Sequence, residues 1–273
     1  MPRLTDTTPE ADRVLAEVYR RMPGRRKVQL LCGMLRQGRS LHAAGLRQRR
    51  PGVTPCQIRD DWIEVHYGAI PAGDRGKESD MVPPPDALLV LRDVIAACAS
   101  NAIAYALGGS MASTFHGVAR FTADADIAVE PFPGREAAFA GSFGEDYYVS
   151  VDAIRQAIRD RSSFNVIHTG MAFKVDVFVR KDRPFDTSLM ARKRPAELDP
   201  DGPPVDLVSA EDIILLKLEW YRLGGETSDR QWGDVLGVLR AQAGLLDEGY
   251  LDRWAAELGV ADLLETARGE AAS

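Results

Sequence analysis

Residues 103–130, IAYALGGSMASTFHGVARFTADADIAVE, constrain this chain more than any other stretch. Apolar Ile103 to Leu107 runs into Gly108-Gly109-Ser110, a helix-compatible segment follows, and the stretch closes on Thr122 to Val129. This pattern predicts a strand, a glycine turn, a helix start and a second strand with carboxylates at i and i+2. Strand side chains alternate in direction, so Asp124 and Asp126 leave from one face while Ala125, Ile127 and Val129 leave from the other. Two like charges so close repel, and a divalent cation is the simplest thing that relieves them. Hard oxygen ligands with part of the shell left open suit Mg²⁺ and a substrate phosphate. The glycines let backbone approach a ligand closely, and free N–H groups at the next helix start favour anions.

The 273 residues suffice for one large or two modest domains with a real core. No apolar run approaches the ~18 residues of a membrane span. The first residues, MPRLTDTTPEADR, lack the apolar segment of a signal peptide. Cys32, Cys56 and Cys98 are too scattered for a disulfide framework or a zinc site, so a cytoplasmic protein with reduced thiols is expected. The net charge of −6 conceals a split. Residues 1–53 hold twelve Lys and Arg against four Asp and Glu, a balance of +8, and the remaining 22 against 36 leave −14. The basic part suits either nucleic acid or docking on the acidic remainder.

Residues 1–67 read as a small basic helical unit. Val28, Leu31, Leu35, Leu41 and Leu46 fall near one stripe of a helix from Arg25 to about Arg49, and Thr54-Pro55 caps a further helix through Val65. Residues 68–85 are rich in Gly, Pro and charge and read as a linker. Residues 86–182 read as an α/β core with a mixed sheet flanked by helices. Its elements include a strand at Tyr147–Val149, a helix at Val151–Arg159, and two strands, Phe164–His168 and Ala172–Val179, joined as a hairpin. Within the last strand Asp176 is costly unless exposed or paired, so it asks for a partner. Residues 183–273 read as helical. Ser209 to Asp212 has the form of a capping box, and Lys217 in the following apolar helix either snorkels to water or serves a site.

Gly-Gly-Ser, thirteen residues, then Asp-x-Asp resembles the signature of the nucleotidyltransferase superfamily to which DNA polymerase beta belongs. It looks most like the bacterial abortive-infection and toxin–antitoxin branch. The resemblance spans roughly residues 86–240. It implies that Gly108, Gly109 and Ser110 hold the triphosphate of an NTP, that Asp124 and Asp126 hold Mg²⁺ or Mn²⁺, and that Asp176 completes a catalytic carboxylate triad. A salt bridge from Asp176 to Lys174 or Arg180 is the competing reading. The resemblance also sends Lys217 towards the nucleotide phosphates and offers Asp229 or Asp234 as a further acidic residue, each equally a helix N-terminal charge. His116 and Arg120 lie between turn and Asp pair, where either could touch the triphosphate or be an ordinary surface side chain.

The implied activity is transfer of a nucleoside monophosphate to an acceptor hydroxyl, on RNA such as tRNA or on protein, as in a toxin–antitoxin type system. Its alternatives are a small-molecule (antibiotic) nucleotidyltransferase and a non-catalytic, antitoxin-like binding protein with the same fold. Other nucleotide chemistries are excluded: there is no G-x-x-x-x-G-K-[ST], no G-x-S-x-G elbow and no G-x-G-x-x-G after the first strand.

Overall fold

The structure, a computed structural model, describes residues 19–67, 87–122, 124–169, 173–198 and 202–272. The linker expected at 68–85 lies outside the described residues. Seven strands are present among them: β1 (Tyr105–Leu107), β2 (Asp124–Val129), β3 (Tyr147–Val149), β4 (Ser163–His168), β5 (Phe173–Val179), β6 (Arg194–Ala196) and β7 (Val205–Leu207). The helices needed below are α1 (Gly24–Arg49), α2 (Pro55–Tyr67), α3 (Ala87–Ser100), α4 (Gly109–His116), α5 (Glu136–Ala140), α6 (Val151–Asp160), α7 (Pro184–Arg192), α8 (Ala210–Leu223), α9 (Asp229–Ala241), α10 (Glu248–Glu257) and α11 (Ala261–Ala272). Strand order is β3-β4-β5-β2-β1-β7-β6, a mixed sheet in an α/β protein. Pairs β2–β5 and β1–β7 are parallel, whereas β3–β4, β4–β5 and β6–β7 are antiparallel.

The chain divides into two compact units. One comprises Leu31–Ala106 and Phe121–Asp182. Its centre is the β2–β5 pair, whose alternation sends Ala125, Ile127, Val129, Val175, Val177 and Val179 into the core. On the same side α3 contributes buried Leu91, Val94 and Cys98 and packs against β5. Phe132, Phe139 and Phe164 meet edge-on or tilted at centroid distances of 5.4–6.3 Å, filling the space beneath α5. The expected hairpin is β4–β5, with Asn165 paired to Asp176 and Val166 to Val175. Helix α2 begins at the expected cap: Gln57 N–H donates to Thr54 Oγ1 at 3.3 Å, and Gln57 Oε1 accepts from Thr54 N–H at 2.9 Å.

The other unit comprises Met1–Leu30, Leu107–Arg120 and Arg183–Ser273. Here α4, α8 and α9 pack together, with Ile213, Ile214, Leu215, Leu218, Val235 and Val238 buried. Gly117 lies directly against the backbone of α9. A Cβ at Gly117 would stand 2.9 Å from the backbone of Gly237 and Val238, so no larger residue fits there. Ser209 caps α8 through the Asp212 N–H at 3.1 Å, and Gly224 ends it, as its sequence requires.

Residues 183–273 are not wholly helical. The β6–β7 pair precedes α8, with Leu207 in register with Leu107. Pro195 interrupts the first of these strands and Asp206 the second, so neither carries the apolar run that marks a strand in the sequence. Pro195 sits on β6 at the sheet's edge, where its missing N–H costs no ladder bond. Among the described residues, no helix is long and apolar enough to cross a membrane.

Candidate functional site

In the unit built on β2 and β5, the face opposite the valine core carries the acidic residues. Asp126 stands in register with Asp176, and Asp124 with Lys174. Neighbours in a parallel pair point the same way, so Asp124, Asp126, Lys174 and Asp176 share one half-buried face. Both Asp176 oxygens are engaged. Oδ2 accepts from Lys174 Nζ at 2.6 Å, and Oδ1 accepts from the Asn165 amide on β4. Thr122 Oγ1 donates to Asp124 Oδ1 at 2.8 Å and fixes that carboxylate at the start of β2.

Burial pushes the Asp176 carboxyl above its usual range; Lys174 and Asn165 oppose this, and the nearby Asp124 charge adds to it. Asp176 therefore faces the same way as the Asp-x-Asp pair and also makes the salt bridge to Lys174 that the sequence offered as its competing role. Arg180, the other candidate partner, pairs with Glu130 at 2.8 Å.

The other unit holds a second polar cluster. Gly109 adopts φ +54°, a left-handed conformation suited to glycine, and opens α4 with Ser110 buried in its first turn. Arg120 Nη2 donates to Ser110 Oγ at 2.6 Å, and its Nε and Nη2 grip the Asp234 carboxylate at 2.6 and 2.8 Å. Lys217 Nζ reaches the same carboxylate at 2.9 Å. Lys217 and Asp234 are 6% and 7% exposed, so Lys217 does not snorkel to water. Burial would raise the Asp234 carboxyl; Arg120 and Lys217 outweigh it and hold the group below the usual carboxylate range.

Asp234, read from sequence as one of two equivalent candidates, is thus the buried partner of both cations, while Asp229 is an exposed charge in the first turn of α9. A signal was available. Asp234 lies four residues before Val238 and seven before Ala241, on the inward stripe of its own helix. His116 is enclosed, with Nε2 2.8 Å from the Val208 carbonyl, and burial lowers its pKa. It is half-buried, and its ring is held against the Val208 carbonyl of its own unit. Sequence reasoning also missed the buried group around Asp212, which accepts from Tyr250 Oη at 2.6 Å and Ser209 Oγ at 2.8 Å and ties α8 to α10.

Chemically, the β2–β5 face offers hard oxygen donors of the kind Mg²⁺ and Mn²⁺ take. The donors fit such an ion in type, and the Lys174 ammonium already stands on Asp176. Among the described residues, no group of three or more His, Cys, Asp and Glu side chains is gathered so as to hold a metal ion.

No family model matches the chain, and no curated protein does. Among solved structures, the chain is similar to the solution structure of the antibiotic-resistance factor ANT(2'')-Ia at 17% identity, over 67% of this chain and 97% of that one, with a TM-score of 0.39. A crystal structure of ANT(2'')-Ia in complex with adenylyl-2''-tobramycin is similar at 15% identity, over 63% of this chain and 96% of that one, with a TM-score of 0.39.

Proposed function

We propose that this chain is a divalent-cation-dependent nucleotidyltransferase of the DNA polymerase beta-like superfamily, acting in the cytoplasm. It would move a nucleoside monophosphate from an NTP to an acceptor hydroxyl and release pyrophosphate. The observation that carries the reading is the register of β2 and β5, which sets Asp126 beside Asp176 with Asp124 on the same face. A face kept only for packing would have little reason to concentrate three carboxylates on two adjacent strands.

In this reading Asp124, Asp126 and Asp176 hold Mg²⁺ or Mn²⁺. When bound, the metal lowers the pKa of the acceptor hydroxyl and offsets charge on the leaving oxygens. Thr122 and Asn165 orient the carboxylates they touch. To the other unit the reading assigns phosphate binding by Gly108, Gly109, Ser110 and Lys217. Arg120 and Asp234 hold Ser110 and Lys217 in place there. Catalysis of this type is mainly positioning and electrostatics, and no side-chain nucleophile is needed.

The acceptor is tested directly. The full chain is incubated with each α-labelled NTP and Mg²⁺ or Mn²⁺, with total RNA, with no added acceptor, or with tobramycin, which the neighbouring structure holds as its adenylyl derivative. Label on tRNA or on the protein supports the toxin–antitoxin type of acceptor, and label on the antibiotic supports the small-molecule alternative. Label on nothing, or equal labelling by the Asp124→Ala/Asp126→Ala variant, removes the enzyme reading. The Lys174–Asp176 bridge favours one second reading, a non-catalytic binding protein in which Lys174 permanently neutralises the face. That protein would leave every NTP intact.

A further inference from the structure

Lys174 does not sit on this face as an ordinary surface lysine. It leaves β5 opposite Asp124, and its ammonium lies 2.6 Å from Asp176, both side chains largely enclosed at 21% and 15% exposure. Asp124, Asp126 and Asp176 carry three negative charges and Lys174 one positive charge on a single stretch of two paired strands. Such a face is costly to fold without a counter-ion, because like charges on one face of two paired strands, partly shielded from water, repel. One cation is therefore built into the sequence. A metal ion drawing on Asp176 meets a carboxylate whose Oδ2 is already held by an ammonium and whose Oδ1 is held by Asn165. Asn165 is neutral and can stay. Lys174 cannot, since a divalent ion and an ammonium on one carboxylate oxygen repel each other.

We propose that Lys174 is an internal counter-ion that exchanges with the divalent metal: the Lys174–Asp176 bridge and metal occupancy of the face exclude one another. The proposal rests on the nucleotidyltransferase reading and extends it. Lys174 stabilises the metal-free fold and lowers the affinity for free metal, so the site stays empty until metal arrives with enough additional binding energy, such as that of a nucleotide-bound ion. The exchange breaks one ion pair and forms another, with no bond made or broken and no other reactant.

The test is calorimetric titration of Mn²⁺ into the full chain, comparing wild type, Lys174→Met and Lys174→Arg, with Asp124→Asn/Asp126→Asn as the blank. Removing a positive charge beside the ion is expected to tighten Mn²⁺ binding at least about tenfold in Lys174→Met. Lys174→Arg, which keeps the charge, should stay near wild type. Thermal unfolding gives an independent reading. In EDTA the Met variant should melt below wild type, and saturating Mn²⁺ should close the gap. Equal Mn²⁺ affinity in wild type and Lys174→Met overturns the exchange while leaving the nucleotidyltransferase reading intact. Mn²⁺ binding by neither protein, or equally by the blank, overturns both. Should Lys174→Met fail to fold without metal yet fold with Mn²⁺ present, the counter-ion role is upheld; failure under both conditions with normal folding of Lys174→Arg overturns the exchange in favour of an obligatory structural bridge.

Discussion

The two polar clusters of this protein are opposite in charge. On the β2–β5 face, three carboxylates stand with one lysine, half-buried and reachable from solvent. Around α4, α8 and α9, one carboxylate stands with an arginine and a lysine, and the serine hydroxyl completes the group; Ser110, Lys217 and Asp234 are buried and Arg120 is part-exposed. The first arrangement is short of positive charge and the second is short of negative charge. Each unit therefore satisfies its own polar groups with the resident side chains and keeps a residual preference, for a cation in one and an anion in the other. The difference shows how a chain can fold around a reactive constellation without ligands: it supplies one stand-in charge to each cluster, Lys174 to the acidic one and Asp234 to the basic one.

The comparison breaks most visibly in activity. Replacing Asp124 and Asp126 together with alanine should lower nucleotidyl transfer by about a thousandfold or more, since metal-borne charge stabilisation is worth several kcal/mol. A rate assay at saturating NTP measures this, and a loss below tenfold would mean the face is not where the chemistry happens. Next in size is Asp234→Ala, which strands buried Lys217 and part-exposed Arg120 without their partner. Breaking a buried pair from one side costs about 3–5 kcal/mol, and urea unfolding should show a loss of this order. If Asp234→Ala unfolds like wild type, the cluster is wetter than its burial implies. By contrast, Lys174→Met should cost only about 1 kcal/mol or less in the absence of metal, because its pair retains some solvent. The ratio of these two losses is a direct measure of how differently the clusters are enclosed.

The smallest effect concerns pH. Asp234 has a folded pKa below its unfolded value, so its contribution to stability is fully present above the ordinary carboxylate range and is lost as pH falls through the folded value. The stability gap between wild type and Asp234→Asn should therefore be constant from neutral pH down to about pH 5 and shrink below pH 4. A gap that widens on acidification would reverse the sign of the shift.

Much of this was legible in the chain because it depends on local rules. The i, i+2 placement of Asp124 and Asp126, the valine alternation around Asp176, and the caps at Thr54 and Ser209 each follow from periodicity or turn chemistry within a few residues. The competing roles for Asp176 were legible too, since Lys174 is two residues away on the same strand face. What could not be read is pairing at a distance. Arg120 sits in irregular backbone with no period to mark it, yet it binds Ser110 ten positions before it and Asp234 114 positions after it. The β6–β7 pair is invisible for a related reason: Val205–Leu207 becomes a strand because Leu107 offers a parallel edge, and Val-Asp-Leu does not announce that by itself.

A crystal structure of the full chain grown with Mn²⁺ and a non-hydrolysable NTP tests the central claim most directly. The account predicts an anomalous-scattering peak bounded by Asp124, Asp126 and Asp176, with the Lys174 ammonium withdrawn from Asp176. Manganese bound elsewhere, or Lys174 still bridged to Asp176 beside an ordered nucleotide, would contradict it.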